Sequence, residues 1–162
     1  MIVIVIIGVV YTLVISKLQN FGEEKSEPSF ATLKEYLLSY MDEAKSVELI
    51  CLDDCSECSI YRDGKKVEKI KSFFDANVQT YRYDFLQGVI EKKPKVFFNK
   101  EGVQESVCFS FKIGKNLVSD QVIVLYDGKA YDYANYFTPT ESFDSLDELI
   151  QERQSVAQEI MQ

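Results

Sequence analysis

The first sixteen residues carry no charge and are almost entirely apolar. They read MIVIVIIGVVYTLVIS, and the first charged side chain is Lys17. As a helix, the apolar run would extend roughly 22 Å, which is too long for an ordinary strand but short of the roughly 20 residues that span a bilayer core. The segment therefore predicts a transmembrane helix that is missing a turn or more. The residues assigned to this helix are Ile2, Val3, Ile4, Val5, Ile6, Ile7, Gly8, Val9, Val10, Leu13, Val14 and Ile15.

Two other interpretations of this segment stay open from the residues alone. A secretory signal peptide begins with basic residues and ends in a small-residue cleavage site, and this segment has neither feature. A helix buried on all sides in a soluble domain needs an apolar environment around it, which a small acidic domain seldom offers. We therefore expect a membrane helix.

The rest of the chain is acidic on balance. The 162 residues include 18 Lys and Arg against 26 Asp and Glu, for a formal net charge of −8. Because binding to phosphates needs an excess of clustered Lys and Arg, we expect no nucleic-acid partner. The chain also contains no His. This excludes Ser-His and Cys-His nucleophiles and His-based zinc sites, and the sequence predicts no catalytic residues and no enzyme.

The letters of the apolar segment resemble a known motif. The run MIVIVIIG at residues 1–8 resembles the second half of the type IV prepilin N-terminal motif, K-G-F-T-L-I-E-L-M-I-V-I-A-I-I-G. The resemblance implies that Met1 corresponds to the internal Met of that motif, with a basic leader and an acidic residue upstream. About six further apolar residues would bring the helix to a spanning length.

A second stretch is similar to minor pseudopilins of the type II secretion system. In those proteins a strand of the pattern V-x-L-x-C is often followed by a second Cys and a hairpin, and SVELICLDDCSECSIYRDGKKV has the same order. The resemblance implies a structural subunit, a minor pilin or pseudopilin, in the filament of a type IV pilus or of a type II secretion system.

The family resemblance also implies a location and a set of partners. The chain would be a single-pass protein of the inner membrane with its C-terminal domain in the periplasm, or extracellular once assembled into a pilus. Its partners would be other pilin or pseudopilin subunits, the inner-membrane assembly platform and the lipid bilayer. The competing hypothesis is a single-pass, membrane-tethered periplasmic domain that binds a ligand or performs thiol-redox chemistry and forms no filament.

The expected fold class is α+β. A long N-terminal hydrophobic spine helix would pack on an antiparallel β-meander, and an amphipathic helix would follow at the C-terminus. The chain divides into an assembly helix at residues 1–16, an amphipathic continuation at 17–46 with a kink near Pro28, and a globular periplasmic domain at 47–162.

Periodicity predicts the secondary structure after the apolar segment. Apolar residues recur at helical spacing in residues 30–45 and again from Ser145, which has capping-box spacing to Glu148. Asp63-Gly64 and Asp127-Gly128 predict two-residue hairpins. The predicted strands are residues 47–52, 59–62, 66–70, 78–85, 95–98, 106–113, 122–126 and 129–136.

Four cysteines predict structural disulfides in an exported domain. Cys51, Cys55, Cys58 and Cys108 allow three full pairings. We expect Cys55 to pair with Cys58 because both stand in one loop, and Cys51 to pair with Cys108 if their strands are neighbours. A redox-active C-x-x-C and a four-thiolate zinc site are the alternatives. The acidic neighbours would raise a thiol pKa, and Cys108 stands alone where zinc sites usually bring two close pairs.

Asp53, Asp54 and Glu57 form an acidic stretch among the cysteines. Carboxylates are ligands for Ca²⁺, but this spacing matches no EF-hand loop. We expect a solvated acidic loop and no cofactor, with calcium or zinc as the alternatives.

Aromatic residues gather around the last hairpin, at Tyr126, Tyr131, Tyr133, Tyr136 and Phe137. Packing within a sheet accounts for such a group. The alternative is an exposed tyrosine-rich strand that contacts another subunit, since aromatic residues anchor interfaces.

Overall fold

The computed structural model describes residues 27–84, 86–93, 96–98, 101–135 and 139–160. The predicted assembly helix at residues 1–16 and its continuation to residue 26 lie outside these ranges. Within them, no helix is long and apolar enough to cross a membrane.

Ten strands in the described ranges form two antiparallel sheets of five strands each. The strands are β1 (Ser46–Leu52), β2 (Glu57–Arg62), β3 (Lys65–Lys71), β4 (Gln79–Asp84), β5 (Gly88–Glu91), β6 (Val96–Phe98), β7 (Gln104–Gly114), β8 (Ile123–Tyr126), β9 (Lys129–Asp132) and β10 (Glu141–Phe143). Sheet 1 has the order β3-β2-β1-β7-β6, and sheet 2 has the order β10-β9-β8-β4-β5.

Both predicted two-residue hairpins are confirmed. Asp63 and Gly64 join β2 to β3 with φ angles of 50° and 76°, and Asp127 and Gly128 join β8 to β9 with 49° and 76°. Positive φ at both central residues is the turn geometry that matches the twist of paired strands, and glycine adopts it without steric cost.

The helix predicted over residues 30–45 is much shorter in the structure. Helix α1 spans Leu33–Leu38, after which the chain runs through turns. The Ser39 hydroxyl donates to the Tyr36 carbonyl at 2.7 Å, a local side-chain bond that competes with continued helix. The predicted apolar stripe still faces the core, since Phe30, Leu33, Leu37 and Met41 are buried.

The predicted C-terminal helix is confirmed as α2, Leu146–Ile160. The Ser145 hydroxyl accepts a hydrogen bond from the Glu148 backbone N–H at 3.1 Å, and the Glu148 carboxylate accepts one from the Asp144 N–H at 2.8 Å. Leu149 is fully buried near the start of the helix, whereas Val156 is exposed. The helix is therefore anchored through its N-terminal turns.

The main core lies between the inner face of sheet 1 and one face of sheet 2. Alternate residues of β1, β2 and β7 supply most of it: Val47, Leu49, Cys51, Cys58, Ile60, Phe109, Phe111 and Ile113. Val122, Val124 and Tyr133 close it from the side of sheet 2. Phe30 sits within this core, with five aromatic ring centroids at 4.9 to 5.6 Å from its own.

A second, smaller core lies on the other face of sheet 2. Ile123 and Ala130 point away from sheet 1 and pack with Leu149 of α2. Strand β8 is therefore buried on both faces, since Ile123 belongs to this core and Val124 to the main one. The described layers run from sheet 1 through sheet 2 to α2.

The expected α+β arrangement, with a long spine helix packed on a meander, is wrong for the described part of the chain. The structure is mostly antiparallel β-sheet, and its two helices there are α1 and α2. The inner face of sheet 1 is covered by α1 and sheet 2. The strands β5 and β10, which complete sheet 2, had not been predicted.

Candidate functional site

The cysteines form two disulfides whose pairing differs from the prediction. Cys51 bonds to Cys58, with Cα atoms 4.1 Å apart, and Cys55 bonds to Cys108, with Cα atoms 5.5 Å apart. A turn of residues 53–56 joins β1 to β2, which makes Cys51 and Cys58 direct register partners. The expected pairs Cys55–Cys58 and Cys51–Cys108 are therefore wrong.

A β-bulge presents Cys108 to the turn. Cys51 pairs with Phe109 and the next residue, Leu52, pairs with Val107, so Cys108 is an extra residue in β7. Bulges change the direction of a side chain relative to the regular alternation. Cys55 lies in the turn with φ of 64°. The hairpin partners Cys51 and Cys58 could have been found from the short spacing between the two strands, but no sequence signal marks the bulge.

The burial of the sulfur atoms argues against thiol chemistry. Cys55 and Cys58 belong to different disulfides, so the C-x-x-C stretch is not one redox unit. Cys51, Cys55 and Cys58 are fully buried, and exchange with an external thiol requires access to a sulfur. Because all four sulfurs are in disulfides, they offer no thiolate to a zinc ion.

The three acidic residues among the cysteines are exposed, and two of them have local partners. The Asp54 carboxylate has a lowered pKa because the Ser56 hydroxyl and backbone N–H donate to it, the latter at 2.9 Å. Glu57 forms an ion pair with Lys69 at 2.6 Å. Among the residues that the structure describes, no group of three or more His, Cys, Asp or Glu side chains could hold a metal ion.

The tyrosines of the last hairpin pack in the core. Tyr133 is 1% exposed, and its hydroxyl donates to the Phe30 carbonyl. Burial raises the pKa of Tyr133 well above its usual value. Tyr126 and Tyr131 pack against the same core, which confirms the sheet-packing interpretation for these three residues. Tyr136 and Phe137 lie outside the described residues.

The strongest candidate surface is the side of sheet 1 turned away from the core, here called the outer face. It contains an open groove of about 620 Å³. The residues that line this groove are Glu48, Ile50, Leu52, Ser59, Tyr61, Gly64, Lys66, Phe97, Phe98, Glu101 and Glu105. None of them was predicted from the sequence as a site residue, although Ile50 and Leu52, two apolar residues on the same side of β1 as Glu48, were a usable signal.

Strand register explains how the groove is built. The bulge at Cys108 reverses the alternation of β7, so that Glu105 and its register partner Phe97 join Leu52 on the outer face. The rings of Phe97 and Tyr61 lie 5.8 Å apart. The short hairpin of β6 and β7 thus folds an aromatic side chain over the middle of the sheet.

The groove combines apolar and acidic groups. The pKa of Tyr61 is raised by burial first and then by the negative charges of Glu105 and Glu48. Phe98 of β6, which also lines the groove, is 62% exposed. Exposed apolar groups gathered in one region and bordered by charge are typical of a surface that contacts another protein.

Comparisons of this chain with protein-family models, with curated proteins and with solved structures gave no match.

Proposed function

We propose that the chain is a structural subunit of a filament, a minor pilin or pseudopilin of a type IV pilus or type II secretion system, held in the inner membrane by residues 1–16 before assembly. The observation that carries the proposal is the run MIVIVIIG, which resembles the prepilin motif. In this role, the apolar helices of neighbouring subunits pack against one another. The β-rich domain faces outward, and the subunit functions by binding its neighbours in the filament.

The two disulfides support a domain that works outside the cytoplasm. Disulfides form and persist in oxidising compartments such as the periplasm. The Cys55–Cys108 bond ties the first hairpin to a strand 53 residues away in sequence. A domain stabilised by two disulfides is typical of an oxidising compartment.

The outer face of sheet 1 supports a function through contact with other subunits. Aromatic residues are enriched at protein interfaces, and here Phe97, Phe98 and Tyr61 lie in one groove. Filament subunits need such surfaces on their folded domains as well as on their membrane helices.

The competing function is a membrane-tethered periplasmic binding domain that forms no filament. The open groove favours this alternative, because small-molecule and peptide sites are concave and lined by aromatic and polar groups. The thiol-redox form of the alternative has less support, since three of the four disulfide sulfurs belong to fully buried cysteines.

Photo-crosslinking in the source organism distinguishes the two functions. The chain is expressed from its own locus with p-benzoylphenylalanine at Val10 in the apolar segment or, as a control, at Lys129, which is exposed on β9. We expect Val10 to give a ladder of adducts with pilin-like chains, identified by mass spectrometry. If the chain is in the membrane fraction but Val10 yields no protein adduct, the filament proposal is wrong and the tethered domain is favoured.

A further inference from the structure

We propose that the Cys55–Cys108 disulfide is a thiol-exchange site, which a thiol in positively charged surroundings opens by attack at Cys108 while the Cys51–Cys58 disulfide stays closed. In this exchange the chain is the substrate and not the catalyst. The inference rests on the folded domain and goes beyond the proposed filament, on which it does not depend.

Access to the sulfur atoms differs between the two disulfides. Cys51, Cys55 and Cys58 are each 0% exposed, whereas Cys108 is partly exposed. Exchange begins when a thiolate reaches one sulfur of the bond. The Cys51–Cys58 bond is therefore shielded at both ends, and the Cys55–Cys108 bond is shielded only at Cys55. Among the four cysteines, Cys108 is the position at which an external thiol starts the reaction.

An open cleft of about 400 Å³ is lined in part by Cys108. The cleft lies where the turn of residues 53–56 meets β7, and its walls include Asp53, Val78, Gln104 and Glu105. Cys108 is the extra residue of the bulge in β7, and the bulge directs it toward the turn that contains Cys55. A cleft of this volume has room for a small thiol or for the tip of a protein loop.

The charge at the cleft is negative. Asp53 and Glu105 are the charged side chains among the described residues that line it. The backbone N–H of Asp53 donates to the Ser106 carbonyl at 2.9 Å, which holds this residue beside β7. The chain as a whole carries a net charge of −8. An anionic thiol is repelled by these charges and a cationic one is attracted, so the partner we infer is a dithiol protein with basic residues around its reactive thiol.

The exchange balances in atoms and electrons. The attacking thiolate forms a bond to the Sγ of Cys108 as the bond to Cys55 breaks, and Cys55 leaves as a thiolate that takes up a proton. The second thiolate of the dithiol then attacks the sulfur of its own first thiol, and Cys108 leaves as a thiolate that is protonated in turn. The dithiol is oxidised to a disulfide and the Cys55–Cys108 bond is reduced to two thiols. Cys51–Cys58 still joins β1 to β2.

Mapping the first adduct tests the site of attack. The full chain is purified in a mild detergent without denaturant and exposed to cysteamine, a small cationic thiol. Remaining thiols are blocked with N-ethylmaleimide at successive times, and peptides are identified by mass spectrometry. The mixed disulfide should form on Cys108 at least about tenfold faster than on any other cysteine, with Cys55 recovered as the blocked thiol.

A pair of thiols and one substitution test the role of charge. The rates for cysteamine and for anionic 2-mercaptoethanesulfonate are each divided by the rate of the same thiol with bis(2-hydroxyethyl) disulfide, which is uncharged. The wild type should favour cysteamine, and Asp53→Asn should reduce that preference about twofold or more. Asn tolerates a positive φ such as the 51° of Asp53, so the turn is preserved. Glu152→Gln, at an exposed position on α2, should leave the preference unchanged.

Several results would overturn the proposal. A first adduct on Cys51, Cys55 or Cys58 would contradict the site of attack, and so would the opening of both disulfides at one rate, which indicates unfolding of the whole domain. A folded chain that forms no adduct would exclude exchange, and equal normalised rates for the two thiols would contradict the inferred partner. A ladder from Val10 without selective exchange would leave only the filament proposal standing, and selective exchange without the ladder would do the opposite.

Discussion

At the scale of single residues, a buried ion pair attaches the C-terminal helix to sheet 2. Asp132 of β9 is 1% exposed. Its Oδ2 accepts hydrogen bonds from Nε of Arg153 at 2.9 Å and from Nη2 of the same side chain, and its Oδ1 accepts one from the Ala134 N–H at 2.8 Å. The Arg153 guanidinium also lies 5.8 Å from the centre of the Tyr83 ring.

Removing the cation of this pair should destabilise the fold strongly. Arg153→Ala is expected to lower the free energy of unfolding in urea by about 3 kcal/mol, the low end for a broken buried pair because Arg153 is partly exposed. The double variant Asp132→Asn, Arg153→Met should recover part of the loss because no buried charge remains. Arg82→Ala, at an exposed position on β4, serves as the control and should change stability by less than about 0.5 kcal/mol. Equal losses in Arg82→Ala and Arg153→Ala would contradict the role given to Asp132.

Tyr133 should make stability fall at alkaline pH. Its pKa is raised by burial, so above the ordinary tyrosine pKa of about 10 the unfolded chain releases a proton that the folded chain keeps. The contribution of Tyr133 to the free energy of unfolding is complete below that pH and decreases by about 1.4 kcal/mol per pH unit above it. Tyr133→Phe should be less stable at neutral pH through loss of the bond to Phe30, but its stability should fall less steeply between pH 10 and 11. Parallel curves for variant and wild type would contradict this assignment.

At the scale of elements, the two disulfides constrain very different lengths of chain. Cys51–Cys58 closes a separation of 7 residues within one hairpin, and Cys55–Cys108 closes a separation of 53 residues between that hairpin and β7. Loop-closure entropy gives about 2 kcal/mol for the short link and about 4 kcal/mol for the long one.

Paired serine substitutions test this difference. Cys55→Ser, Cys108→Ser should lower the free energy of unfolding about twice as much as Cys51→Ser, Cys58→Ser. Chemical denaturation under oxidising conditions measures both losses, and peptide mapping of the wild type by mass spectrometry checks the pairing itself. A mapped Cys55–Cys58 peptide would contradict the structure directly.

Under the proposed function, the apolar segment should be sensitive at its single glycine. Small residues let packed membrane helices approach closely, so Gly8→Leu is expected to reduce the crosslinked ladder from Val10. Ile7→Leu, which keeps both volume and polarity, should leave the ladder unchanged. An undiminished ladder in Gly8→Leu would show that no close helix contact forms at this position.

At the scale of the whole molecule, reduction of both disulfides should destabilise the entire fold. The two disulfides together contribute about 6 kcal/mol, comparable with the total stability of about 5 to 15 kcal/mol of a typical domain. In dithiothreitol, the full chain should become sensitive to protease at temperatures where the oxidised chain resists. A variant with serine at all four cysteine positions should be sensitive with or without reductant, and protection of the reduced wild type would contradict the prediction.

Local patterns predicted a large part of the sheets. The Asx-Gly pairs located two hairpins because their backbone requirement is met within two residues. The capping spacing of Ser145 and Glu148 located the start of α2. Each of these signals depends on neighbours a few residues away.

Contacts between segments distant in sequence determined the remaining strands and the bulge in β7. The short strands β5 and β10 become strands by pairing with β4 and β9, and no alternation marks them. The bulge at Cys108 exists because β7 is paired with β1 at that point, and it decides both the disulfide partner of Cys55 and the position of Glu105 on the outer face.

The uncharged segment, the acidic balance and the absence of histidine are properties of the sequence, and the two tight hairpins and the C-terminal helix follow from local patterns in it. The cysteine pairing, the two-sheet architecture and the outer face of sheet 1 depend on the folded chain. Turns and caps are stabilised by backbone groups close in the chain, whereas strand order, register and bulges depend on which distant segments share a core.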